Sequence, residues 1–143
     1  MSLGCDYCVN YNELQDTVMK VTGKAKGIDV VYDGVGKSTF DTSLSILRPR
    51  GMCVFYGNAS GPVPELNVLR LAKEGSIFIT RPTLAGYMLT RDEFKWRGNE
   101  LFDWISKDKL KIKIDKEFSL ENVKDGHEYI ENGLTTGKVL FKC

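Results

Sequence analysis

The 143-residue chain carries 20 basic and 19 acidic side chains for a formal net charge of +1, so composition offers no broad field for nucleic acid or a membrane surface. A chain of this length buries roughly 68–70% of its unfolded surface, which supports a core without disulfide staples. No apolar run approaches the ~18 residues of a membrane span, and the opening MSLGCDYC lacks a basic region followed by an apolar stretch, so a soluble cytoplasmic protein is expected.

In chain order, Tyr7 to Tyr11 alternates and predicts a short strand, after which Asn12 caps a helix running to about Thr22. Ile28 to Tyr32 is apolar and β-branched, the mark of a strand covered on both faces. A helix is expected from Ser38 to Leu47, ending before Pro49, and Gly51 to Tyr56 reads as the next buried strand. A helix from Pro64 to Lys73 and a strand from Ser76 to Thr80 follow, giving repeated strand-helix-strand crossovers and an α/β class with a doubly wound parallel sheet. Beyond RPTLAGY, Thr90 and Glu93 form a capping box for a long amphipathic helix ending near Ser106. The strand KIKIDKEF, with Ile112 and Ile114 turned inward, a helix from Ser119 to Asn132 and a closing strand KVLFK complete the order. Residues 4–88 are expected to form a partial nucleotide-binding domain and 89–143 a separate helix-strand segment.

Four cysteines, Cys5, Cys8, Cys53 and Cys143, include a CxxC, but the others are scattered and His127 is the only histidine, so no metal site is expected. His127 itself reads as a packed or surface residue. The stretch GVGKST, Gly34 to Thr39, resembles the end of the phosphate-gripping pattern G-x-x-x-x-G-K-[ST]. Val31 stands where that pattern requires its first glycine, inside the strand, and the loop before Gly36 is too short. As a G-x-G-x-x-G fingerprint the stretch also fails, because Thr39 replaces the third glycine. What remains is a strand end, a turn and a helix N-terminus whose amides are expected to be free for a ligand; an unliganded tight turn is equally compatible. Carboxyl ends of parallel strands face one crevice. The segments at Tyr11, at Gly57 and Asn58, and at Arg81, Pro82 and Thr83 are therefore candidate partners of the turn. Asn58 could read a carboxamide and Arg81 a phosphate or carboxylate.

The blocks NYNELQDTVMKVTG, GIDVVYDGVGKSTFDTSLSILRPRGMCVFYGNASGPVP, GSIFITRPTLAGYMLTRDEF and TTGKVLF, in order and nearly spanning the chain, resemble the zinc-independent NADPH:quinone oxidoreductases. These form a branch of the medium-chain dehydrogenase/reductase superfamily. The resemblance implies hydride transfer from NADPH to a quinone or enone without metal. It places Tyr11 by the adenosine 2′-phosphate, Gly34 and Val35 along the adenosine half, and Tyr56, Gly57, Asn58, Ala59, Ser60, Pro82, Thr83 and Leu84 beside the nicotinamide half. It names no catalytic side chain. It also implies a homodimer that continues the sheet across the edge strand 76–80. Members often carry a basic residue before TTGK, where this sequence has Glu131, Asn132, Gly133 and Leu134. The family's glycine-rich phosphate turn and substrate domain are expected to precede the first residue here, leaving a C-terminal portion that is inactive alone. A nonenzymatic nucleotide-binding or dimerisation module, and a P-loop nucleotidase, are the competing readings.

Overall fold

The computed structural model describes residues 4–23 and 27–143, so the MSL of the opening stretch lies outside the described residues. The chain divides into two compact units, one ending at Tyr87 and the other spanning Met88–Cys143. No helix of the described residues is long and apolar enough to cross a membrane.

The first unit contains α1 (Leu14–Thr22), β1 (Ile28–Asp33), α2 (Phe40–Ser45), β2 (Leu47–Phe55), α3 (Leu69–Lys73) and β3 (Phe78–Thr80). The strands form a parallel three-stranded sheet in the order β1-β2-β3. Stepping repeatedly in one direction with right-handed crossovers brings the connecting helices onto the same face. Accordingly Phe40 and Leu44 of α2 pack with Cys53 and Phe55 of β2, Ile77, and the half-buried Leu71 of α3 in one core. The opposite face is only partly covered within this unit: Val30, Met52 and Phe78 lie in one row across the three strands, 41%, 40% and 57% exposed, although Val54, two residues beyond Met52, is buried. The expectation that β1 is covered on both faces is therefore corrected, because a β-branched run records strand propensity and not which face a helix reaches.

Several boundaries also differ. Tyr7 to Tyr11 is no strand: no described strand lies beside it to complete a ladder, and Tyr7 and Val9 instead border a small cavity against Leu14, Val18 and Val21 of α1. One of the expected crossovers is lost with it. α2 is shorter at both ends, since residues 38 and 39 belong to a hydrogen-bonded turn and Leu47 already pairs with Ile28. Between the pairs Ile28–Leu47 and Val30–Met52, residues 48–51 bulge from β2, with Arg50 at φ 62° and its amide on the Gly75 carbonyl at 2.9 Å. α3 starts late because the Asn67 side chain accepts the Leu69 amide at 2.9 Å, capping there and not at Pro64. Ser76, at φ 58°, stands outside β3. Cys53 is fully buried; burial first, and the nearby Asp33 charge second, push its thiol up to about 12, which makes it inert at neutral pH.

The second unit contains α4 (Arg91–Ser106), β4 (Ile114–Ser119), α5 (Val123–Glu131) and β5 (Lys138–Lys142). The capping box forms as expected, with Thr90 accepting the Glu93 amide at 3.2 Å and the Glu93 carboxylate accepting the Thr90 amide at 3.0 Å. β4 and β5 pair in parallel, and α5 sets its Gly126 against the Phe141 ring so closely that a Cβ there would lie 2.5 Å from Cε1. His127 stacks on the same ring at 5.8 Å. Ile112 and Ile114 are not turned inward; each is 52% exposed. Asp115 is the half-buried residue there, because its carboxylate accepts from the Thr136 hydroxyl at 2.7 Å and the Tyr129 hydroxyl at 3.1 Å.

Candidate functional site

β1 ends on Asp33, and the residues after it fold around its carboxylate. One oxygen, Oδ1, accepts the amides of Val35 at 2.8 Å and Gly36 at 2.9 Å. The other, Oδ2, accepts the hydroxyls of Thr39 at 2.7 Å and Ser43 at 2.6 Å. A carboxylate offers about four acceptor directions, so these donors saturate it, and the residue is only 4% exposed. Burial by itself raises its pKa, but the bonds from Ser43, Gly36, Thr39 and Val35 together outweigh burial and hold it below 3.8. A depressed folded pKa stabilises the fold at pH values above the unfolded one and loses that contribution as pH falls through the folded value. Asp33→Asn should thus differ from the native protein by a constant unfolding free energy from neutral pH down to about 4, with the gap narrowing below it; urea titrations across pH measure this.

The amides of residues 37–39 are also bonded. Lys37 N–H donates to the Gly61 carbonyl at 3.1 Å, Ser38 N–H to Ser60 Oγ at 3.0 Å, and Thr39 N–H to the Gly36 carbonyl at 3.1 Å. The expectation of free amides is corrected for residues 35–39: Asp33 takes the amides of Val35 and Gly36, the loop after β2 those of Lys37 and Ser38, and the Gly36 carbonyl that of Thr39. The phosphate-grip reading of GVGKST ends on this geometry.

That loop and the turn are interlocked. Tyr56 N–H donates to the Asp33 carbonyl at 2.9 Å, Ala59 N–H to the Gly34 carbonyl at 3.3 Å, and Ser60 N–H to the Val35 carbonyl at 2.8 Å, while Ser60 Oγ donates to the same carbonyl at 2.7 Å. Two glycines permit the approach. A Cβ on Gly57 would collide with the Gly34 carbonyl oxygen and stand 2.9 Å from Gly34 Cα, and one on Gly34 would meet the Tyr56 ring at 2.9 Å.

Beside this interlock lies an open cavity of about 360 Å³, within the range of small-ligand sites, roughly 300–1,000 Å³. Of the residues expected at the site, Tyr11, Gly34, Val35 and Tyr56 line it. Tyr11 does so from the first position of a 3-10 turn, Tyr11–Glu13, and not from a strand end. Gly57, Asn58, Ala59 and Ser60 stand behind the wall as the interlocking loop. Arg81, Pro82, Thr83 and Leu84 leave β3 at the same edge of the parallel sheet but do not line the cavity; the Arg81 guanidinium donates to the Pro82 carbonyl at 2.8 Å. Glu131 to Leu134 fall in the second unit.

Sequence reasoning missed Tyr32, Asp33, Thr39 and Ser43, all of which border the cavity. A signal existed for three of them: an Asp closing an apolar run immediately before a Gly turn, with hydroxyl residues six and ten positions later, is the pattern of a side chain folded back onto its own turn. Among the described residues no three His, Cys, Asp or Glu side chains gather as a metal site requires, so these residues do not fit a zinc centre.

The sequence pattern of the zinc-binding dehydrogenases matches residues 3–140. The chain is 38% identical over 145 aligned positions to a quinone oxidoreductase of Salmonella typhimurium, covering 99% of this chain and 44% of that protein. It is 40% identical to a 2-haloacrylate reductase of a Burkholderia species, covering 97% of this chain and 42% of the relative. The crystal structure of Escherichia coli quinone oxidoreductase complexed with NADPH superposes with a TM-score of 0.88 at 37% identity, covering 94% of this chain and 42% of that one. The chain thus spans less than half the length of these relatives.

Proposed function

Since the chain belongs to the zinc-binding dehydrogenase family, in the medium-chain dehydrogenase/reductase superfamily, we propose that it supplies the cofactor-holding part of an NADPH-dependent reductase acting on a quinone or a related electron-poor enone. The observation that carries this reading is the cavity at the carboxyl edge of the parallel sheet, walled by the Gly34–Val35 turn and roofed by Tyr11 and Tyr56. The residues fit a dinucleotide there. Aromatic rings and a turn opened by a glycine admit flat adenosine groups, while the amides of residues 35–39, already bonded within the protein, are denied to a phosphate.

NADPH, when bound, supplies the hydride. The chain's own residues bind and orient: Tyr11 stands by the adenosine 2′-phosphate and favours NADPH over NADH, and Gly34 and Val35 bear on the adenosine half. Tyr56 to Ser60 and Pro82 to Leu84 flank the nicotinamide half, where Asn58 is available to a carboxamide, and Arg81 is available to a cofactor phosphate or a carboxylate. Catalysis of this kind rests on placing hydride donor and acceptor, so no side chain is assigned a proton or a bond. The first unit is the nucleotide-binding portion, and residues 89–143 belong with the substrate-binding portion of the full-length relatives.

A thermal-shift panel tests the reading. Stabilisation by NADPH in excess of NADH supports it, stabilisation by Mg-ATP alone supports a nucleotidase, and no stabilisation by any of them leaves a nonenzymatic module. A protein of only these 143 residues is expected to bind NADPH weakly and to reduce no quinone, because the bonded amides of residues 35–39 offer the pyrophosphate no anchor. Rapid NADPH oxidation with a simple benzoquinone would overturn that expectation. β3 lies at the sheet edge with Phe78 exposed, an invitation to pair. The proposed homodimer continues the sheet across this strand, and a monomer by sedimentation at high concentration counts against it.

A further inference from the structure

The buried polar side chains of the described residues are Asp33, Thr39 and Ser43, and all three belong to one network. Burying a carboxylate is costly unless donors surround it, and here they do so from two sides. Oδ1 holds the turn through the Val35 and Gly36 amides, while Oδ2 holds the start of α2 through the Thr39 and Ser43 hydroxyls. The Asp33 backbone carbonyl meanwhile takes the Tyr56 amide at 2.9 Å. One residue therefore ties the glycine turn, the following helix and the β2 loop to the end of β1, although no cofactor contact has been assigned to it.

We propose that Asp33 is a positioning residue for the nicotinamide cofactor: as a built-in anion it fixes the Gly34–Val35 wall at the height the dinucleotide requires. This deepens the NADPH reading and rests on it. The role depends on shape and donor satisfaction more than on charge. In Asp33→Asn the carboxamide oxygen can accept the Val35 and Gly36 amides while its NH₂ donates to the two hydroxyl oxygens, which accept as readily as they donate. In Asp33→Ala the Val35 and Gly36 amides and the Ser43 hydroxyl lose their partner, the Thr39 hydroxyl keeps only the Gly36 carbonyl at 3.2 Å, and the wall is free to shift.

The test is an NMR titration of the 143-residue protein with NADPH, joined to amide exchange at Val35 and Gly36. The variants are Asp33→Asn, Asp33→Ala and Ile77→Ala, the last a core truncation away from the wall that matches the stability loss. Expected results are a Kd within about threefold of native for Asp33→Asn and at least about tenfold weaker for Asp33→Ala than for Ile77→Ala, the loss of roughly one well-made contact. Protection of the Val35 and Gly36 amides should fall in Asp33→Ala alone. Native-like binding and protection in Asp33→Ala overturns the proposal, as does Asp33→Asn binding as poorly as Asp33→Ala. If the native chain binds no NADPH, the cofactor reading fails, and the exchange data still judge Asp33: protection lost only in Asp33→Ala supports the clamp, and protection kept in every variant refutes it. Should Asp33→Ala not fold, Ser43→Ala removes one arm of the clamp, and exchange at Val35 and Gly36 must then quicken for the proposal to stand.

Discussion

Phe55→Ala is expected to destabilise the first unit by about 3–5 kcal/mol, the usual cost of emptying a packed aromatic site. Phe55 is 1% exposed, its ring lies 5.5 Å from that of Phe40, and it shares its core with Leu44, Leu47, Cys53 and Ile77. A unit ending at Tyr87 holds total stability of only roughly 4–13 kcal/mol at typical per-residue values, so this one truncation removes a large share. The position matters for the site as well. Phe55 pairs with Asp33 across the sheet and immediately precedes the loop that locks the glycine turn. Loss of the ring should therefore lower the urea midpoint and, at denaturant concentrations where the native protein is still folded, abolish any NADPH-induced thermal shift. A Phe55→Leu variant, which refills most of the volume, should recover more than half of the lost stability; recovery of none of it would show that ring contacts with Phe40, and not volume, hold this core.

The fold class was legible because its signals are local. Apolar β-branched runs broken by glycine and helix patterns dictate a parallel α/β order, and Val31 excluded a phosphate grip by occupying a position where only glycine serves. What escaped depends on partners distant in sequence or on competition between local options. Alternation at Tyr7 to Tyr11 is a local feature, whereas a strand exists only beside another strand. Pro64 could open a helix, but the Asn67 side chain caps Leu69 and starts it later. The run from Ile28 to Tyr32 says strand but is silent on coverage, and Tyr32 is 73% exposed beside the cavity. Asp33 was passed over because an Asp at a strand end ordinarily marks a solvated turn. Only the hydroxyls of Thr39 and Ser43, brought over it by α2, turn it into a buried clamp.

Gly57→Ala is the substitution with the largest expected effect on ligand binding for the smallest change in mass. The added Cβ would run into the backbone of Gly34, with Cα at 2.9 Å and the carbonyl carbon at 3.0 Å. Backbone cannot swing aside as the tip of a side chain can, so the two loops must part. Overpacking of this kind costs about 1–3 kcal/mol. The bonds at risk run from Ala59 to the Gly34 carbonyl and from Ser60 to the Val35 carbonyl, which together set the height of the wall. NADPH affinity should fall at least about tenfold, the equivalent of 1.4 kcal/mol, while binding of an adenine fragment such as AMP, which would touch Gly34 and Val35 without reaching the loop beyond Tyr56, should fall less. Isothermal titration with both ligands separates the cases. Equal losses for NADPH and AMP would mean that the wall alone has moved. A loss confined to NADPH would place the nicotinamide half against the Gly57 loop, as proposed. Unchanged affinity for both would sever the interlock from the cofactor and return the cavity to an unassigned crevice.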